Sequence, residues 1–184
     1  SGFESPEVLG TRERYDLREA VGAAEEFTRA ACAQRSLTTT FSCPDQAVMV
    51  SGDRSQLDRV LVNLVSNAVK FTDDSGTVEV SLSLDPTVGA VVRVSDTGIG
   101  IHPDDQEQVF QRFYRTVDAQ VRAIPGTGLG LSIVAGIVEA HGGDVALDSV
   151  PGSGTTVTVR LPVVASPVPV EPGSTDLSGS QPPG

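Results

Sequence analysis

The sequence predicts an α+β fold: a two-layer sandwich in which about three main helices lie on one face of a mixed, mainly antiparallel sheet of about five strands. Two observations predict it. Stretches of helical period and stretches of period two follow one another in the order helix, strands, helix, hairpin, loop, helix, hairpin. No strand–helix–strand unit frames the glycine-rich segments, which argues against a doubly wound parallel sheet.

Leu17 to Gln34 sets Leu17, Val21, Ala24, Phe27 and Ala31 at helical spacing and reads as the first helix. Leu37 to Ser42 and Ala47 to Ser51 read as short strands. Asp53, with Gln56 just ahead of Leu57, resembles a capping box and starts a long helix at Arg54 that runs to Phe71. Thr72 to Gly76 marks its end. Val78 to Leu84 and Ala90 to Ser95 alternate apolar with polar residues around a turn at Asp85 to Gly89, the pattern of an antiparallel hairpin. Pro103 opens a short helix. Thr116 to Pro125 is polar and weakly periodic, as a mobile loop is. Leu129 to His141 has the spacing of a buried helix closed by Gly142, and strands follow near Asp144 to Ser149 and Thr155 to Leu161. The expected organisation is a linker remnant at 1–14, one domain at 15–162, and a disordered tail rich in Pro, Ser and Gly at 163–184.

Composition narrows the function. With 184 residues, 39% of them apolar, the chain is long enough for one good core but short for two domains. A net charge of -11 argues against a partner that is nucleic acid, which needs a basic face. Cys32 and Cys43 are too few for a disulfide scaffold and lack zinc-site spacing, so a reducing cytoplasm is the expected location. The longest apolar runs, such as Val88 to Val94, fall far short of the ~18 residues that span a bilayer, and no direct membrane insertion is expected.

Three groups of residues carry chemistry. On the long helix Asn63, Asn67 and Lys70 sit at i, i+4 and i+7 and share a face, beside an apolar stripe of Leu57, Leu61, Leu64 and Ala68. Amide oxygens next to a lysine suit a hydrated magnesium ion on nucleotide phosphates, although this stripe alone also reads as a solvated polar face. Next, Val91 to Ser95 leads into Asp96-Thr97-Gly98-Ile99-Gly100. An ionised carboxylate only accepts hydrogen bonds, so Asp96 fits the exocyclic amino group of adenine and disfavours guanine; a plain Asp-Thr-Gly turn fits the same residues. Finally, Gly126-Thr127-Gly128-Leu129-Gly130-Leu131 opens the last long helix, where free amides and the helix dipole favour phosphate, or where glycine simply allows tight packing. No Gly-Lys-Ser/Thr follows, so it is not a Walker A loop. Phe110-Gln111-Arg112-Phe113-Tyr114-Arg115 precedes it, either anchoring the loop with Arg115 reaching phosphate or packing as an amphipathic turn.

The order of these motifs is more specific than any one of them. Asn63-x-x-x-Asn67-Ala68, Asp96-x-Gly98-x-Gly100, Phe110-x-x-Phe113 and Gly126-x-Gly128-x-Gly130 together resemble the N, G1, F and G2 boxes of the catalytic and ATP-binding domain of sensor histidine kinases. The resemblance extends through His141-Gly142-Gly143 and Gly152-x-Gly154-Thr155 and covers roughly Tyr15 to Pro162. It implies the Bergerat, or GHKL, fold, with ATP and Mg2+ held between the helices under a flexible lid. It further implies that Asn67 coordinates magnesium, Asn63 supports the metal and phosphates, Lys70 and Arg115 contact phosphates, and Phe71, Ile101 and Phe113 border the nucleotide. Asp96 would bind adenine with Gly98 and Gly100 shaping the pocket, Thr155 beside it, and Gly126, Thr127, Gly128, Leu129, Gly130 and Leu131 holding lid and phosphate tail.

In such kinases catalysis is mainly the positioning and charge neutralisation of the γ-phosphoryl group, and a separate histidine is the nucleophile. His102 reads as a turn residue and His141 as a helix-end residue, neither in a phospho-acceptor setting. The resemblance therefore implies a histidine-bearing dimerisation domain and a response regulator receiver domain as partners, and the cytoplasmic catalytic portion of a bacterial sensor. Related alternatives are an ATPase module like those of gyrase B, MutL or heat-shock chaperones, and an anti-sigma-factor serine kinase. The ATPases use a helix glutamate to activate water where this chain has Asn63, a poor base.

Overall fold

Alternation along the strands decides which side of the sheet is covered. In the computed structural model, which describes residues 12–111 and 130–165, five strands form one mixed sheet. Their spatial order is β2 (Thr38–Ser42), β4 (Thr77–Asp85), β5 (Gly89–Asp96), β7 (Gly154–Leu161) and β6 (Asp144–Val150). Only the pairing of β2 with β4 is parallel. Val78, Val80 and Leu82, Ala90, Val92 and Val94, and Val157, Val159 and Leu161 are buried. The register sets Val80 opposite Val94 and Val94 opposite Val157, so these side chains form apolar rows on a single face. The opposite face carries Glu79, Ser81, Arg93, Ser95, Thr156 and Thr158.

Helices α1 (Leu17–Gln34), α2 (Arg54–Phe71) and α4 (Gly130–Ala140) cover the apolar face, with α2 packed against both of the others; α3 (Pro103–Gln106) is a single turn. Leu57, Leu61, Leu64 and Ala68 of α2 are buried, as their spacing predicts, together with Val60, Val65 and Val69. Helix α1 departs from expectation. Its buried residues are Leu17, Ala20, Val21, Ala24, Thr28 and Cys32, while Phe27 is 67% exposed and Ala31 is exposed. Thr28 can occupy the inner stripe because its hydroxyl donates to the Ala24 carbonyl at 2.8 Å, leaving no unmet polar group.

The strand β3 (Met49–Gly52), close to the stretch expected at Ala47 to Ser51, does not join the main sheet. It pairs antiparallel with β1 (Glu13–Asp16) in a separate ribbon, so Glu13 and Arg14, read from the sequence as linker, lie in a strand. Val164, read as tail, donates its N–H to the Met49 carbonyl at 2.9 Å, while the neighbouring Val48 carbonyl turns the other way to Leu17 N–H. Tyr15 fastens the ribbon to α2: its buried ring donates its hydroxyl to Asp58 and lies 4.7 Å below the Arg54 guanidinium. Arg54 also meets Glu13 at 3.2 Å.

Asp53 caps α2, its Oδ1 accepting from the N–H groups of Ser55 at 3.0 Å and Gln56 at 3.4 Å. The reciprocal half of the expected capping box is replaced. The Asp53 N–H donates to Nε2 of His141 at 3.1 Å, and Gln56 Oε1 is buried without a partner. His141 Nδ1 lies 2.7 Å from the Ile137 carbonyl, which fixes the proton on Nδ1 and leaves Nε2 as acceptor. This buried ring joins the end of α4 to the start of α2. His141→Ala, which orphans the Asp53 N–H and opens a cavity, is expected to destabilise the chain by about 2 to 3 kcal/mol in chemical denaturation.

Candidate nucleotide site

The apolar rows of the sheet end in a polar one. The register sets Asp96 opposite Val78 on one side and Thr155 on the other, with Ser149 opposite Thr155, so all four share the helix-covered face. A carboxylate thus stands where the hydrophobic layer opens. Its Oδ1 accepts the Gly98 N–H at 2.8 Å, and the Thr155 N–H also faces the carboxylate. Burial pushes the Asp96 pKa up to about 6, and the two backbone donors only partly offset that effect.

Around Asp96 the loop is tied down by hydrogen bonds. Ser149 Oγ accepts the Ile101 N–H at 2.7 Å, donates to the Gly154 carbonyl at 2.9 Å and sits 2.8 Å from Thr155 Oγ1. Gln106 Nε2 donates to the carbonyls of Ile101 and Ser149, each at 3.0 Å. Sequence reading missed both residues. Ser149 left a signal, because Val145, Leu147 and Ser149 alternate on one side of β6 and only the last is polar.

Helix α2 closes the other wall. The Phe71 carbonyl accepts the Ile99 N–H at 3.1 Å, and a Cβ at Gly98 would fall 2.2 Å from that same oxygen and 2.8 Å from Asp96 Oδ1. Only glycine permits this approach. Gly100, at φ 70°, packs against the Val150 carbonyl. One turn before Phe71, the Asn67 amide lies against the first residue of α4, where a Cβ at Gly130 would come within 2.9 Å of Asn67 Nδ2. Asn63 stands a turn earlier on the same face, half-buried, and its Nδ2 is buried with no hydrogen-bond partner. Lys70 is exposed, and Leu131 packs partly buried against the core.

The structure therefore brings Asn67, Phe71, Asp96, Gly98, Gly100, Ile101, Gly130 and Thr155 around one end of α2, with Asn63 and Lys70 on α2 itself and Leu131 on the neighbouring α4. Phe113, Arg115, Gly126, Thr127, Gly128 and Leu129 lie outside the described residues. An orphaned amide donor, a lysine and a glycine-led helix start suit an anion, and a half-buried acceptor suits a base that donates.

Comparison with known proteins agrees with this geometry. Residues 52–165 match the family described as histidine kinase-, DNA gyrase B- and HSP90-like ATPase. The chain is 40% identical over 154 residues to the histidine protein kinase DivJ of Caulobacter vibrioides, covering 84% of this chain and 26% of that protein. It is 43% identical over 120 residues to the sensor histidine kinase WalK of Bacillus subtilis, covering 65% of this chain and 20% of that protein. The chain thus spans about a quarter or less of these relatives. Among solved structures, a mycobacterial sensor histidine kinase, MprB, superposes with a TM-score of 0.72 at 30% identity, over 83% of this chain and 97% of that one. A one-faced sheet that ends in a half-buried aspartate, beside a helix whose Asn67 lies against a glycine-led helix start, is the arrangement that this match spans: the chain belongs to the histidine kinase-, DNA gyrase B- and HSP90-like ATPase family.

Proposed function

We propose that this chain binds MgATP and is the catalytic domain of a sensor histidine kinase, transferring the γ-phosphoryl group to a histidine carried on a dimerisation domain. The observation that carries this reading is Asp96, a half-buried carboxylate with two backbone donors, whose remaining acceptor capacity suits the exocyclic amino group of adenine. Phe71 borders the base, with Gly98, Gly100 and Thr155 shaping its pocket, and Ile101 and Phe113 are assigned to nucleotide binding by their motifs.

The phosphates take the other end of the cleft. Asn63 Nδ2, which has no partner of its own, donates to a phosphate oxygen or to a water on the metal. Among the described residues no group of three or more His, Cys, Asp or Glu side chains could hold a metal. A cation here relies on the Asn67 amide oxygen, on the phosphates and on water, which suits magnesium. Bound magnesium would neutralise charge on the transferring phosphoryl group. Lys70 and Arg115 add positive charge, and the run Gly126, Thr127, Gly128, Leu129, Gly130 and Leu131 is assigned to the phosphate tail by its motif.

The acceptor histidine comes from elsewhere, because His141 is buried and both of its ring nitrogens are engaged, while His102 caps the one-turn helix α3. Asn63 in place of a carboxylate disfavours a water-activating ATPase. A response regulator receiver domain then takes the phosphoryl group onward. No helix among the described residues is long and apolar enough to cross a membrane.

Mixing the chain with MgATP and a separately made histidine-bearing dimerisation domain is expected to place acid-labile phosphate on that second piece; nucleotide binding without such transfer would overturn the kinase assignment. Asp96→Asn is expected to abolish measurable ATP binding in calorimetry. Protonation should act similarly. Since Asp96 titrates at about 6 in the folded chain, affinity for adenosine, itself neutral over this range, should fall about tenfold between pH 7 and pH 5.

The same shift fixes the sign of a stability effect. The folded pKa lies above the ordinary 3.8, so the folded state binds more protons between these values, and stability associated with Asp96 is lost as pH rises through about 6. Without nucleotide, Asp96→Asn should be more stable than the parent chain at neutral pH by roughly 1 to 3 kcal/mol. The gap should close below about pH 4, as read from paired urea titrations.

A further inference from the structure

Arg35 follows the last residue of α1, ahead of Ser36, whose φ is 54°. Its guanidinium does not cap its own helix but reaches across to α2. Nη1 donates to the Val69 carbonyl, Nη2 to the Thr72 carbonyl, and Nε to Asp74 Oδ1 at 3.1 Å. The side chain is 33% exposed, so these bonds are made with most of the group out of water. Carbonyls in the last turn of a helix lack intrahelical partners and form the negative end of its dipole. A planar fork with several fixed N–H directions matches two such carbonyls and a carboxylate at once, which a lysine ammonium cannot do with the same geometry.

Between the two gripped carbonyls lie Lys70 and Phe71. The Phe71 carbonyl holds the Ile99 N–H and fills the space that Gly98 leaves open. A path of direct contacts therefore runs from Arg35 to the last turn of α2, then to the 97–101 loop and Asp96. Thr72 adds a local bond from its hydroxyl to the Ala68 carbonyl, but its own carbonyl depends on Arg35. No other described residue outside α2 is seen to hold these two oxygens.

We propose that Arg35 is a positioning residue for the nucleotide site: by gripping the Val69 and Thr72 carbonyls it sets the final turn of α2 so that Lys70 and Phe71 face the ligand and the 97–101 loop. This rests on the ATP-binding reading above. Removing the fork frays that turn, and the disturbance grades along the helix, greatest at Lys70 and Phe71 and least at Asn63, two turns earlier.

The test titrates the wild-type chain, Arg35→Lys and Arg35→Ala with MgATP by calorimetry, each well below its own melting temperature. Hydrogen exchange of the Ile99 amide is followed without nucleotide. Arg35→Ala is expected to bind about tenfold more weakly and Arg35→Lys about threefold more weakly, with faster exchange at Ile99 in the same order. A purely structural role would lower the melting temperature and leave affinity and Ile99 exchange at the wild-type level in the folded variants, which overturns the proposal. Should Arg35→Ala not fold, Arg35→Lys decides alone: weaker binding with faster Ile99 exchange supports the proposal, and wild-type values overturn it. Failure of the wild-type chain to bind MgATP would overturn the ATP reading and this proposal with it, whereas wild-type binding matched by Arg35→Ala overturns this proposal alone.

Discussion

A carboxylate held half-buried at the end of the apolar rows is the constraint around which the rest of this domain is arranged. Two backbone N–H groups meet Asp96, yet desolvation still dominates its pKa. An apolar residue would continue the rows of Val78, Val94 and Val157 at no such cost. The fold accepts the penalty at the one row where the helix layer stops, and that is also where Gly98, Phe71 and Thr155 converge. Local instability and local chemistry coincide there, as is common where a group must be poised for a ligand.

Helix α2 completes the candidate site, because one rigid element carries the amides, the ammonium and the carbonyl that backs the glycine loop. Three kinds of contact fix it. Its buried stripe settles rotation about the axis, His141 and Asp53 hold its first turn, and Arg35 holds its last. A helix gripped at both ends and packed between two others has little freedom to shift the side chains on its exposed face.

Most of this was legible in the sequence where local pattern and tertiary demand agree. The boundaries of α2, the β4–β5 hairpin and the last hairpin fell within a residue or two of the expected ones, and the ordered glycine and asparagine motifs identified the family. Reading failed where burial was set by partners distant in sequence. Hydrophobicity favoured Phe27 over Thr28 on α1, but a hydroxyl bonded to its own helix can be buried and an aromatic one residue away cannot turn inward with it. The four residues of β1 carry little period, and their strand exists because β3 lies beside them. Arg35 gave no sign at all, since a lone cation in a turn acquires meaning only from the carbonyls that it meets.

The small ribbon has a mechanical consequence. Backbone groups of 48–49 are engaged on both edges, Val48 with Leu17 at the start of α1 and Met49 with Val164 after the last strand. Two stretches more than a hundred residues apart in sequence are thus laced to the same short strand, which runs through Gly52 directly into Asp53 and the first turn of α2. The start of α1 and the segment after the last strand are therefore tied to the base of the helix that bears Asn63 and Asn67, so neither can come away without loosening the strand that feeds that helix.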